Sequence, residues 1–279
     1  MLYVKTPLRV SFTGGMTDFP QFFNKYGGSV VSVTIDRYIR IMLNQRFESG
    51  LRLMYSKTEN TDIFNIEHPF FRETLKYYKI IKNVEIASVG DIPSDGSGLG
   101  SSAAFLVGLI RILNTFKNGK DIDKFSAAKL AYHIENNICK MSCGLQDHFA
   151  SSYCGLNQYN FSNNKIVTKK IKVSSEFLKK LEKSMRLFYI NKKGKSHQIS
   201  FKNINLIKKK ENLGYLIEIL ELAKQSKKYL ENEDILKFSK TIEESWELKK
   251  HYQKSFIEYN ECNDFITYAK KKVHIAENY

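Results

Sequence analysis

Apolar and polar positions alternate along the first dozen residues, with Leu2, Val4, Leu8, Val10 and Phe12 set among polar neighbours. That period of two predicts a strand, and Gly14-Gly15 then supplies a turn. Residues 19–26 (FPQFFNKY) read as a short helix stopped by Gly27-Gly28, because glycine is favoured just past a helix end. The β-branched runs SVVSVTI and RYIRIMLNQ predict two strands, RLMYS a third and VEIASVG a fourth. After the loop DIPSDGSGLG the pattern changes. Residues 101–114 (SSAAFLVGLIRILN) are apolar on nearly every side, which predicts a buried helix.

A second helix is predicted over 124–139, with Ser126 as its cap and Leu130, Ile134 and Ile138 four apart. Residues 144–153 (GLQDHFASSY) read as a glycine-led helix start. Weak strands are expected near KIVTKKIKV and MRLFYI, and beyond residue 200 the pattern is helical and charged. The first half is thus β-rich with buried helices and the second mainly helical. That is an α+β pattern rather than strict βαβ alternation.

The chain has 279 residues, enough for one large domain or two modest ones. No apolar run reaches the roughly 18 residues a membrane span needs, and the start lacks a signal-peptide pattern, so a cytoplasmic protein without a membrane partner is expected. Cys139, Cys143, Cys154 and Cys262 form no C-x-x-C pair and have no histidine at zinc spacing, so they read as reduced thiols.

The charge of +15 is uneven. Residues 1–160 hold 18 Lys+Arg against 14 Asp+Glu, a net of +4; residues 161–279 hold 26 against 15, a net of +11. The later lysines are interleaved with glutamates at helical spacing, as in KKLEKS and WELKKHYQKS. This favours solvated helix faces over a nucleic-acid surface, and a basic excess also suits an anionic small substrate.

The string with most chemical content is PSDGSGLGSSAA, Pro93 to Ala104. Gly96, Gly98 and Gly100 let backbone approach a ligand closely. Ser97, Leu99, Ser101 and Ser102 fill the string up to the start of the buried helix, whose free N–H groups and positive dipole end favour a polyphosphate. Three readings compete. The P-loop pattern is absent, since no lysine follows Gly100. A dinucleotide fingerprint is partly met by Gly98, Gly100 and Ala103 with Asp121 further on, but Val89 and Gly98 stand too far apart for it. The plain alternative is a glycine loop with ordinary serine caps.

Three other strings add charged groups. In TPLRVSFTGGMTD, Arg9 and Asp18 flank the Gly14-Gly15 turn with Thr17; Asp18 suits sugar hydroxyls and Arg9 developing negative charge, against a simple hairpin with an Asx cap. In CGLQDHFAS, Asp147 is a candidate base or a helix-start residue complementing the dipole, and His148 reads as packing or surface. Glu135 in LAYHIE reads as solvated unless its neighbours say otherwise.

Taken together these strings resemble the GHMP kinase superfamily. The glycine-serine string is similar to its ATP-phosphate motif and PLR…GGxTD to its first motif. YSKTENTD with IEHPFFRETL, GLQDHFASSYCGLNQYNF and SWELKK are similar to its sugar-phosphate branch, nearest the heptose 7-phosphate kinases. The resemblance implies a ribosomal-protein-S5-like N-terminal domain over residues 1–165 and a ferredoxin-like C-terminal domain over 166–279. The implied reaction is transfer of the γ-phosphoryl group of ATP to the C1 hydroxyl of D-glycero-D-manno-heptose 7-phosphate, with fucose- or galactose-type kinases as the alternatives.

The implied roles follow position by position. Gly96, Ser97, Gly98, Leu99, Gly100, Ser101 and Ser102 would hold the ATP phosphates. Ser102 and Glu135 would face Mg²⁺, Asp147 would be the base, and Arg9 would lie near the transferred group. Gly14, Gly15, Thr17 and Asp18 would line the sugar. The looser string KKGKSHQIS offers Lys193, Lys195 and His197 for the substrate phosphate.

Two departures from the family pattern follow. Met16 stands where the heptose branch has a third glycine, which predicts a narrowed sugar turn. The family's last glycine-rich motif has no counterpart, since the last glycine is Gly214. The expectation is therefore a shortened, incomplete C-terminal domain, aggregation-prone and less stable than its relatives. Such a chain is expected to come either from a truncated or frameshifted gene or from a shortened member that lost activity or recruits a partner to complete the site; the rival to an active kinase is a catalytically impaired remnant that binds nucleotide or sugar phosphate.

Overall fold

The computed structural model describes residues 1–93, 97–187, 204–252, 264, 267 and 268. Its spine is the 18-residue strand β2 (Gly28–Gln45). SVVSVTI and RYIRIMLNQ, expected as two strands, form this single ribbon, because Asp36 between them has no glycine or proline to break pairing. Strand β1 (Leu2–Thr13) runs antiparallel along one edge of β2, from Leu2 opposite Leu43 to Thr13 opposite Val31.

The other edge of β2 is shared. Its second half pairs with β5 (Val84–Gly90), and its first half pairs with β6 (Leu156–Phe161). Beyond β5 lie β3 (Leu51–Met54) and β4 (Thr58–Thr61), and beyond β6 lies β7 (Ile166–Lys170). The β3–β5 pairing is parallel and the others antiparallel, so the seven-stranded sheet is mixed and the α+β reading holds. Strand β4 and helix α2 (Pro69–Tyr77) were not predicted: TENT carries no apolar alternation, and the Phe70–Phe71 pair hides the helical period.

Helix α3 (Ser101–Asn118) is buried over most of its length, as its all-round apolar pattern requires. It packs with α2 and with Ala127, Ala131 and Ile134 against β2, β3 and β5 in the largest hydrophobic cluster. The next helix departs from expectation twice. It is α-helical over α4 (Lys124–Tyr132) and then π-helical from His133 to Ile138. Its cap is Asp123, whose carboxylate accepts from the Ser126 amide; Ser126 lies one turn inside.

Helices α1 (Pro20–Tyr26) and α5 (Gln146–Tyr153) close a smaller cluster around Phe23, Phe149, Tyr159 and Phe161. After Lys170 the described residues are helical or irregular. They include α6 (Ser175–Ser184), a helical stretch over 204–208, α7 (Leu213–Glu231) and α8 (Ile235–Tyr252). Residues 185–187 of MRLFYI are not strand, and 188–190 lie outside the described residues, as do Lys193, Lys195, His197 and Gly96.

Helices α7 and α8 do not stand apart from the sheet. Phe12 on β1 meets Phe238 of α8 edge to face at 5.1 Å, and Met16, Phe19 and Phe22 pack on Leu216, Ile219 and Leu220 of α7. No helix among the described residues is long and apolar enough to cross a membrane.

Candidate active site

The Gly14-Gly15 turn is held from both sides. Gly14 has φ +88°, and a Cβ there would lie 1.9 Å from the Ser29 carbonyl oxygen and 2.9 Å from Ala223 Cβ of α7. Only glycine fits that gap. The Thr17 hydroxyl donates to the Gly14 carbonyl at 2.7 Å and accepts from the Ser29 amide at 3.1 Å. Thr17 is fully buried, so its hydroxyl is spent on the turn itself rather than offered to a ligand. Gly15 is different: the nearest atoms to a Cβ there would be Lys249 Nζ at 3.5 Å and Ser11 Oγ at 3.9 Å.

Met16 has φ +83° and is buried against α7 with Leu216 and Ile219. Its side chain therefore leaves the turn's open side, and the narrowing expected from its bulk does not occur.

Asp18 is 5% exposed and faces inward. Its carboxylate accepts from the Gln146 amide at 3.0 Å and the Met16 amide at 3.2 Å, and its carbonyl accepts from the Leu145 amide. A Cβ on Gly144 would sit 2.0 Å from its Oδ2, so the 144–146 backbone is pressed onto this carboxylate. Burial first, then the nearby Asp147 charge, push the Asp18 carboxyl up to about 6. Asp18 thereby fixes the entry to α5, the helix whose first turn carries Asp147.

Asp147 meets Arg9 in a two-pronged pair, with Nε donating at 2.9 Å and Nη2 at 2.7 Å. The third arm of the guanidinium donates to the Gly98 carbonyl at 2.6 Å, and the Arg9 amide to the Leu99 carbonyl at 3.0 Å. Arg9 therefore bolts the glycine loop to the carboxylate, as its fork geometry allows and a lysine's would not. The Asp147 side chain is one-third exposed, and its oxygens retain lone pairs for a further donor.

Gly98 and Gly100 adopt positive φ at the mouth of α3. Gly100 is the N-cap residue and no side chain caps the helix. The serine-cap alternative thus fails: Ser101 Oγ pairs with Ser97 Oγ at 3.0 Å, and Ser102 Oγ donates to Glu135 at 2.9 Å. The first N–H groups of α3 remain available to an anion.

Glu135 is 3% exposed, not solvated. The π-helical widening turns it inward, where its second oxygen meets Nε2 of the fully buried His148 at 2.7 Å. His148 is therefore a buried partner of Glu135, not a surface residue. Cys143 completes a cluster in which one ligand atom from each residue lies within 4.8 Å of the others. Burial and the carboxylates of Glu135, Asp147 and Asp18 hold the Cys143 thiol far above the usual thiol range, so it stays protonated. Cys139 and Cys154 are free thiols as expected. For a cation, the useful donors are the Ser102 and Glu135 oxygens, a hard set that fits Mg²⁺.

Sequence reasoning missed a cleft of about 600 Å³ beside Ser101 and Ser102, lined by Tyr55, His68, Phe70, Phe105 and Met141 among others. His68 packs on Tyr55 at 4.9 Å and on Phe105 at 5.3 Å. The density of aromatics between residues 55 and 71 was its one signal. Gln146 and Lys249 were also missed, because neither lies in a glycine-rich string.

Residues 67–155 match the family model described as the GHMP kinases N-terminal domain. The chain is 27% identical over 260 residues to D-glycero-alpha-D-manno-heptose 7-phosphate kinase of Campylobacter jejuni, covering 88% of this chain and 76% of the relative. It is 31% identical to a galactokinase of Pyrococcus furiosus over 166 residues, 53% of this chain but 42% of that one. Among solved structures, a D-glycero-D-manno-heptose 1-phosphate kinase from Bacteroides thetaiotaomicron superposes with TM-score 0.74 at 22% identity, over 90% of this chain and 79% of that one. The mevalonate kinase of Methanococcus jannaschii does so with TM-score 0.61 at 23% identity, over 90% and 79%. The shared fold is the mixed sheet with helices described above.

Proposed function

We propose that this chain, which belongs to the GHMP kinase family, transfers the γ-phosphoryl group of ATP to the C1 hydroxyl of D-glycero-D-manno-heptose 7-phosphate. The observation that carries the reading is the Arg9–Asp147 fork, set between the uncapped start of α3 and the Gly14-Gly15 turn. A phosphate donor on one side and a hydroxyl acceptor on the other would meet at that carboxylate.

The residues divide the work. The amides at the start of α3 and the loop at Gly98 and Gly100 bind the nucleotide's phosphates, with Ser97, Leu99 and Ser101 shaping that loop. The aromatic cleft at Tyr55, His68 and Phe105 takes the base. Ser102 and Glu135 would hold Mg²⁺, which neutralises phosphate charge, and His148 keeps Glu135 in place.

Asp147 accepts the hydrogen bond of the acceptor hydroxyl and orients it for in-line attack; as the hydroxyl oxygen bonds to the γ-phosphorus, the bond from that phosphorus to the β–γ bridging oxygen breaks, ADP leaves, and the hydroxyl proton passes to the carboxylate. Arg9 holds Asp147 in one orientation and presents positive charge where the phosphoryl group passes. Asp18 fixes the backbone that carries Asp147, while Gly15 leaves room for the acceptor.

The assay is ADP release by the purified full chain with ATP, Mg²⁺ and the heptose 7-phosphate, beside Asp147→Asn. The expected result is acceptor-dependent turnover that falls by about 10²–10⁴ in the variant, which remains folded by circular dichroism at the assay temperature. Phosphorus NMR of the product assigns the hydroxyl. Equal turnover in the variant, or product phosphorylated elsewhere, overturns the reading. Faster turnover of galactose or fucose would move the assignment to another sugar.

A further inference from the structure

Helix α8 carries a lysine where its other residues are buried. Phe238, Thr241 and Ser245 are 1–2% exposed and lie at helical spacing; Lys249 continues the same stripe four residues on. The stripe is tied to the acceptor turn. Thr241 shares a hydrogen bond with Ser226 of α7 at 2.7 Å, and Thr13, immediately before Gly14, donates to Ser226 at 2.9 Å. The register of α8 against the turn is thus fixed, and it brings Lys249 Nζ to 3.5 Å from the empty Cβ position of Gly15.

Other lysines of these helices behave differently. Lys224, Lys227, Lys237 and Lys250 each pair with a carboxylate on their own helix or at its start. Lys249 has no hydrogen bond or ion pair among the described residues, although it lies among buried groups. Burial pulls its ammonium below the usual lysine range, Asp18 opposes that pull and Arg9 adds to it. A second unsatisfied donor lies beside it. Gln146 is 3% exposed; its carbonyl accepts from Ser11 Oγ at 3.1 Å, and its Nε2 has no partner. Ser11 Oγ is the other atom that borders the space at Gly15.

A half-buried unpaired ammonium bordering the Gly15 space, and a buried unpaired amide joined to that space through Ser11, are costly unless an oxygen-rich anion completes them. The nucleotide's phosphates do not answer this need, because α3 serves them across the Arg9–Asp147 fork. Arg9 itself is committed to Asp147 and Gly98.

We propose that Lys249 and Gln146, around the side-chain-free Gly15 and with Ser11 holding the Gln146 amide in place, form the subsite for the phosphate that the acceptor already carries, so that the acceptor is a sugar monophosphate rather than a neutral sugar. This rests on the kinase reading above and adds its specificity device. The Asp18 carboxylate accepts from two backbone N–H groups and has no hydrogen bond from Lys249, which leaves the ammonium for the ligand.

The test is equilibrium binding without ATP, by calorimetry on the full chain, of D-glycero-D-manno-heptose 7-phosphate and of the unphosphorylated heptose. The unaltered chain should bind the phosphorylated sugar roughly 10–100-fold more tightly, the scale of one charge-assisted contact. Lys249→Met should abolish that ratio with ATP affinity unchanged, and Lys249→Arg should keep most of it. Gly15→Ala, which places a methyl 3.5 Å from Nζ, should lower the ratio without touching the charge, and it serves if the lysine variants fold poorly. A ratio unchanged in Lys249→Met, equal losses for both sugars, or no preference in the unaltered chain each overturn the proposal. Phosphate-dependent binding without turnover would sink only the reaction assigned above; turnover without phosphate preference would sink only this subsite.

Discussion

The two sides of the Arg9–Asp147 fork are built in opposite ways. On the side proposed for the nucleotide one short string, Ser97 to Ser102, supplies the loop, the helix start and the hydroxyl proposed for the cation, and its hydroxyls are spent within a few residues or on Glu135. On the side proposed for the acceptor, Gly15, Gln146 and Lys249 come from three segments far apart in sequence, and they are brought around Ser11 and the Gly15 turn only because β1, α5 and α8 pack together. A local site tolerates change in the rest of the fold. A site assembled from distant segments is only as well made as the packing that assembles it.

The largest expected effect separates the two glycines of the turn. Gly14→Ala places a methyl 1.9 Å from the Ser29 carbonyl at positive φ, so the turn must move. We expect a loss on the order of 3–4 kcal/mol, read by denaturant unfolding. Gly15→Ala meets no such clash and should unfold within about 1 kcal/mol of the unaltered chain. If both variants lose equal stability, the acceptor side is not held in the way described.

Next comes the pH dependence of the acceptor side. The Asp18 carboxyl is raised to about 6 from an ordinary 3.8, so the folded state holds this proton more tightly than the unfolded one. Its contribution is fully present below about pH 4 and is lost as pH rises through 6, amounting to on the order of 3 kcal/mol. Asp147, Arg9 and Lys249 are the charges around it. In Asp18→Asn this part of the pH dependence should vanish, so melting curves of the two proteins should converge in slope between pH 4 and 7. A persistent slope in the variant would assign the titration elsewhere.

The nucleotide side should fail differently. Glu135→Gln keeps the shape and the contact to Ser102 but removes the charge, so the Mg²⁺ concentration for half-maximal ATP binding should rise about 10–100-fold, with acceptor binding unchanged. A parallel loss of acceptor affinity would show that the two sides are coupled through α5, where His148 and Asp147 are neighbours.

These contrasts also explain what was legible. The glycine-serine string, the buried α3 and the strands of the first half follow from local pattern, since one segment contains both signal and consequence. The solvated reading of Glu135 failed because a π-helical widening has no propensity signature and turns a nominally outer position inward, onto His148, whose packing reading holds. Thr17 lies in the right motif, yet its hydroxyl is consumed by Gly14 and Ser29, a pairing visible only once β2 returns beside the turn. Lys249 looked like one more lysine in a charged helix. Its inward stripe becomes apparent only when Thr241 is found bonded to Ser226 and, through it, to Thr13.

The smallest expected effect concerns the approach to that π-helical segment. Asp123 caps α4 through the Ser126 amide, whereas Ser126 itself contributes no cap. Asp123→Ala should therefore cost about 1 kcal/mol and Ser126→Ala a few tenths, measured by thermal melting. Because α4 runs directly into the turn that presents Glu135, fraying its start should weaken Mg²⁺ binding slightly while leaving sugar-phosphate binding as it was. If Ser126→Ala proves the costlier change, the carboxylate is not the cap, and Glu135 is held chiefly by His148 and Ser102 rather than by its own helix.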